Sequence, residues 1–70
     1  MYKRQLPEVS AEEIESLRRQ LDIYRRNLMY LEERRAAYGI DAPLNLLNQI
    51  DYMQEQIAKI EARLRELGAL

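Results

Sequence analysis

Seventy residues allow one small domain, and a chain that is 47% hydrophobic and 33% charged with only two Gly and two Pro has the composition of long helices and coiled coils. A formal net charge of −1 supplies no overall field for nucleic acid or an anionic membrane. Cysteine and histidine are both absent, which excludes disulfides, thiol nucleophiles, Ser–His and Cys–His catalysis, and His- or Cys-based metal sites together.

The first stretch, "MYKRQLPEVS", contains Pro7 and reads as an extended N-terminal arm over residues 1–9. It lacks the apolar centre of a signal peptide. Helix 1 is expected to start at Ser10, where Ser10 and Glu13 have the S-x-x-E spacing of a capping box and Val9 and Ile14 stand at the positions of a hydrophobic staple. Glu12, Glu13 and Glu15 would then complement the positive end of the helix dipole.

From Ile14 the seam residues step alternately by three and four: Ile14, Leu17, Leu21, Tyr24, Leu28, Leu31, then Arg35 and Tyr38. This is a heptad pattern with Ile14 at an a position, and one polar interruption at Arg35. Gly39 suits the left-handed residue that follows a helix end, with Ile40 supplying the accompanying hydrophobic contact. Asp41 is a favourable N-cap for the next helix and Pro43 a tolerated first-turn residue, although the residue before a proline avoids the helical region, so Ala42 is an alternative cap. Residues 39–42 are short enough to join antiparallel neighbours. Helix 2 then repeats the pattern after Pro43 with Leu46, Ile50, Met53, Ile57, Ile60, Leu64 and Leu67.

These signals predict an all-α fold, an antiparallel two-helix coiled-coil hairpin with helices over about 10–38 and 43–68, forming a single domain over 10–70. The register pairs Tyr38 with Pro43 across the turn and continues through Arg35 with Leu46, Leu31 with Ile50, Leu28 with Met53, and Tyr24 with Ile57. Leu21 then meets Ile60, Leu17 meets Leu64, and Ile14 meets Leu67. Only the Arg35 layer is not apolar on both sides, and its methylene stem can lie on Leu46. Arg18 is placed opposite Glu61 and Glu13 near Arg63.

No catalytic constellation is present, so a non-enzymatic protein without cofactor or metal is expected. Adjacent acids such as Glu12/Glu13 and Glu32/Glu33 point roughly 100° apart on a helix and make a poor cation site. A more informative feature is a second apolar stripe. Ile23, Tyr30 and Ala37 repeat at the c position of helix 1, with Met29 and Ala36 beside them at b and Tyr52 at an equivalent outer position of helix 2. Two readings of the stripe stand: side chains that tolerate solvent or lie under the N-terminal arm (Tyr2, Leu6, Val9), or a contact surface for self-association or for a neighbouring domain.

A lone hairpin buries only one face, and a second buried face would add stability, so assembly into a helical bundle is expected, a dimer first. Polar residues flanking the helix 1 seam, Arg18, Arg25 and Glu32 at e and Gln20, Asn27 and Arg34 at g, argue against one fully apolar four-helix core. The alternative function is a nucleic-acid- or phosphate-binding hairpin using Arg18, Arg19, Arg25 and Arg26. Against it, Glu15–Arg19 and Asp22–Arg26 have the spacing of i,i+4 pairs on a solvated face, and no aromatic platform accompanies them. No apolar run reaches the roughly 18–20 residues a membrane span needs, and a cytoplasmic setting without a membrane partner is expected.

The stretch "NLMYLEERRAAYGIDAPLNLLNQIDYMQEQIAKIEARL" (27–64) resembles a helical-hairpin segment of bacterial multidomain signalling or conflict proteins. In these, the hairpin accompanies effector modules such as STAND-class NTPases, TIR, caspase-like or formylglycine-enzyme-like domains. The similarity rests on Leu28, Leu31–Glu32, Tyr38–Gly39, Pro43 and the "LLNQI" run from Leu46 to Ile50. It implies an adaptor or oligomerisation element that brings effector domains or partner chains together, and it carries over no catalytic residue.

Overall fold

A computed structural model describes the backbone from residue 2 to residue 70 and the side chains from residue 11 onward. It consists of helix α1 over Tyr2–Tyr38, a 3₁₀ turn over Gly39–Asp41, and helix α2 over Leu44–Glu66. The two helices lie antiparallel in a rod of 58 × 16 × 14 Å. The fold is thus the all-α hairpin that the heptads predict.

The start of α1 differs from expectation. The backbone is helical from Tyr2, where the sequence predicts an extended arm up to residue 9. A nucleated helix extends at low cost through good helix formers such as the Lys, Arg, Gln, Leu and Glu of residues 3–8. Pro7, having no N–H, removes one bond of the helical ladder. Ser10 therefore has helix on both sides and cannot act as an N-cap, which needs non-helical backbone. Glu12, Glu13 and Glu15 consequently sit in the helix interior. The side chains of Tyr2, Leu6, Val9 and Ser10, and with them the staple and the arm contacts, lie outside the described residues.

By helical rise α1 is about 55 Å long and α2 about 35 Å, so the first turns of α1 run on past the end of α2. Tyr38 ends α1, and Gly39 follows at φ 69°. A Cβ there would meet no atom within 4 Å, so the demand for glycine is conformational. Ile40, assigned a capping contact by the sequence, is instead fully solvent-exposed.

The start of α2 is set by Pro43 rather than by Asp41 or Ala42. Ala42 is held extended at φ −59°, ψ 130°, as a residue before proline must be. Pro43 at φ −67°, ψ 150° takes the N-cap position without any side-chain cap, and its carbonyl accepts from Leu46 N at 3.1 Å and Leu47 N at 3.2 Å. At the other end Gly68 adopts φ 75°. Gly68 N donates to Arg65 O at 3.0 Å and Ala69 N to Leu64 O at 2.9 Å, the paired bonds of a Schellman cap. Its hydrophobic partner is Ala69, packed on the core beside Leu64.

Two clusters make the core. Leu21, Ile60 and Leu64 form one near the open end, with Ile14, Leu17, Tyr24 and Ile57 packed against them. Leu31, Leu46 and Ile50 form the other near the turn, with Leu28 and Met53 against them. The predicted partners Leu21 and Ile60, Leu31 and Ile50, and Leu28 and Met53 each share a cluster. Leu67 is half-buried. Tyr38 departs from the predicted seam: with Pro43 and Arg35 also exposed, no buried layer forms next to the turn, and the Tyr38 side chain stays 46% exposed.

Candidate interaction surface

Cross-helix polar contacts mark the two long edges of the hairpin. On one edge, where the g positions of both helices meet, Arg63 holds Glu13 through Nε at 2.8 Å and a second nitrogen at 3.2 Å, and it also reaches Glu66 at 3.1 Å. Hydrogen bonding from Arg63 keeps the Glu13 carboxyl below the usual glutamate range, with desolvation opposing part of the effect. The same bonds to Glu13 and Glu66 hold the Arg63 proton still more firmly.

On the opposite edge the e positions meet, and Arg25 bonds Glu61 at 2.7 Å. This corrects the predicted pairing of Arg18 with Glu61. Arg18 lies level with the end of α2 and donates instead to the Ala69 carbonyl at 3.1 Å, an acceptor beyond the capped helix end. Three of the four arginines of the basic stripe are thus engaged within the hairpin, since Arg26 also pairs with Asp22 at 2.9 Å.

The outer residues singled out from the sequence are solvent-exposed: Ile23 55%, Met29 62%, Tyr30 60% and Tyr52 53%, with Ala36 and Ala37 exposed as well. They do not form one stripe. The b and c positions diverge by about 100° around a helix, and the two edge markers show on which side each falls. Ile23, Tyr30 and Ala37 flank the Glu13–Arg63 edge, whereas Met29 and Ala36 flank the Arg25–Glu61 edge. Tyr52, at a c position of α2, joins the first group. A shallow cleft of about 260 Å³ connects it across the seam, lined by Leu31, Asn48, Gln49, Tyr52 and Met53. On α1 the Arg34 guanidinium sits 5.9 Å from the Tyr30 ring centre, within cation–π range, which restrains that ring on the same side.

Between Ile23, Tyr30 and Tyr52 run the g-position amides Gln20, Asn27, Gln49 and Gln56. From the sequence alone these g positions read only as polar flanks of the seam. The heptad letters, extended to separate e from g, were the available signal for this face. Among the described residues no group of three acidic side chains stands together to hold a metal ion, and no helix is long and apolar enough to cross a membrane. No family model, curated protein or solved structure matches the chain.

Proposed function

We propose that the hairpin is a non-catalytic protein–protein interaction module that self-associates and so brings partner chains, or effector domains joined to them, together. The observation that carries this reading is the exposure of Ile23, Tyr30 and Tyr52 at more than half of their surface on one side of a rod whose own seam is already filled. Large apolar side chains grouped on one face mark an interaction site more often than scattered ones do. The resemblance of residues 27–64 to hairpins that accompany effector modules in bacterial signalling proteins supports the same role.

Ile23→Glu combined with Tyr30→Glu tests it. Sedimentation equilibrium should show an assembled parent protein and a largely monomeric variant, with unchanged helicity by circular dichroism. Equal masses for parent and variant would count against the reading.

A further inference from the structure

We infer that the occupant of the Ile23/Tyr30/Tyr52 face is a second copy of this chain, docked face to face through an uncharged, amide-lined surface, with the Arg25–Glu61 flank left outside. This rests on the self-association reading above and specifies its geometry.

The argument starts from charge. One third of the residues are charged, yet charge is absent from one stretch of this face. The c, d and g positions carry no charge on α1 from Ser16 to Leu31, nor on α2 from Asn45 to Gln56. Lys59 and the Glu13–Arg63 pair bound the stretch toward the open end, and Arg34 bounds it toward the turn. Between the levels of Lys59 and Arg34 the opposite flank carries Arg25, Glu32 and Asp51. The two flanks therefore differ in kind.

Two-fold association requires a patch that complements itself. A row of like charges fails that requirement, because each copy presents the same sign to the other. Amides meet it, since each carries both donors and acceptors and can pair with an amide of a second copy. Gln20, Asn27 and Gln49 are exposed and Gln56 half-buried, so the row is accessible between the apolar anchors. Tyr30 and Tyr52 supply amphipathic rings of the sort enriched at interface centres.

Area sets the expected strength. In the antiparallel register Lys59 stands level with Asp22 and Arg34 level with Leu47, so the stretch uncharged on both helices runs about 18 Å along the rod and about 20 Å across two helices, roughly 360 Å² per copy. The total of about 700 Å² lies below the range of stable interfaces, in that of weak and transient ones. Assembly should therefore be reversible and concentration-dependent.

A charge-swap experiment on the full chain tests the proposal. Two forms are made, Asn27→Lys/Gln49→Lys and Asn27→Glu/Gln49→Glu, both at exposed positions, with helicity checked by circular dichroism. A control form, Met29→Lys/Ala58→Lys, places the same charge on the opposite flank. Light scattering is expected to show mass doubling with concentration for the parent and the control. Each face variant alone should dimerise at least about a hundredfold more weakly, because like charges meet across the two-fold, and an equimolar mixture of the Lys and Glu forms should recover the doubled mass. A parent that doubles while the control dissociates and the face variants do not would overturn this face and leave self-association standing. A parent that stays monomeric at every concentration would overturn both, and leave the face to a different protein.

Discussion

Leu64→Ala should be the most damaging single truncation in this hairpin. Leu64 is 1% exposed, the most deeply buried large side chain among the described residues, and it joins Leu21 and Ile60 in the open-end cluster. Truncation to alanine removes three carbons, about 2.4 kcal/mol at about 0.8 kcal/mol per methylene. A cavity term adds to that, since neighbours collapse only partly, and core Leu→Ala substitutions span about 2–5 kcal/mol. A two-helix seam can close more readily than an enclosed core, so about 3 kcal/mol is expected here. In a domain of this size that is a large share of the total stability. Urea unfolding followed by circular dichroism, below the concentration of assembly, provides the assay. Leu44→Ala provides the internal standard: its side chain is 71% exposed, and the change should stay within about 0.5 kcal/mol. Comparable losses for the two variants would refute the burial argument.

Two further outcomes follow from the turn and from the Glu13–Arg63 edge. Gly39→Ala forces a side chain into the left-handed region and should cost about 1–2 kcal/mol in the same urea assay, although no neighbouring atom obstructs the added methyl; an unchanged midpoint would show that the turn relaxes to another conformation. Arg63 lowers the Glu13 pKa in the folded chain, so the stabilisation is complete above the glutamate pKa of the unfolded chain and is lost as pH falls through the lower folded value. At low salt the melting temperature should therefore fall a little less steeply on acidification below the usual glutamate range in Glu13→Gln than in the parent. Superimposable pH profiles would remove this contribution.

The fold was legible because a two-helix hairpin depends on very few signals. The alternation of three and four from Ile14 to Leu31, and again from Leu46 to Leu67, determines both the seam and its pairing, and Gly39 with Pro43 places the reversal. Signals that depend on one residue's local choice proved less reliable. Ser10 has capping chemistry, but the helix continues through it, because a cap residue can also be accommodated inside a helix driven by its neighbours. Ile40 has the pattern of a cap contact and no surface beside it to touch. On the surface, exposure of Ile23, Tyr30 and Tyr52 was readable from heptad position alone. Their separation from Met29 and Ala36 is equally a matter of heptad letters, since c adjoins g and b adjoins e on one helix. The Glu13–Arg63 and Arg25–Glu61 pairs add that g meets g and e meets e, which brings Tyr52 of α2 to the side of Ile23 and Tyr30. The Schellman cap at Gly68 and the bond from Arg18 to Ala69 also require the spatial arrangement, since nothing in the local sequence directs an arginine 51 residues away to a chain-end carbonyl.

The division of the core into two clusters makes the hairpin a zipper with unequal teeth. Leu31 and Ile50 close a loop of about twenty residues and Leu21 and Ile60 one of about forty, a difference of about 0.6 kcal/mol in closure entropy. The end farthest from the turn is thus the costlier one to bring together, and it is also where the polar fasteners concentrate: Arg25 to Glu61, Arg63 to Glu13, and Arg18 to the Ala69 carbonyl. The turn end, held by Leu31, Leu46 and Ile50, has no such fastener among the described residues and closes through apolar contact alone. Salt should therefore act on this rod unevenly, loosening the open end by screening its ion pairs while the turn end keeps its grip.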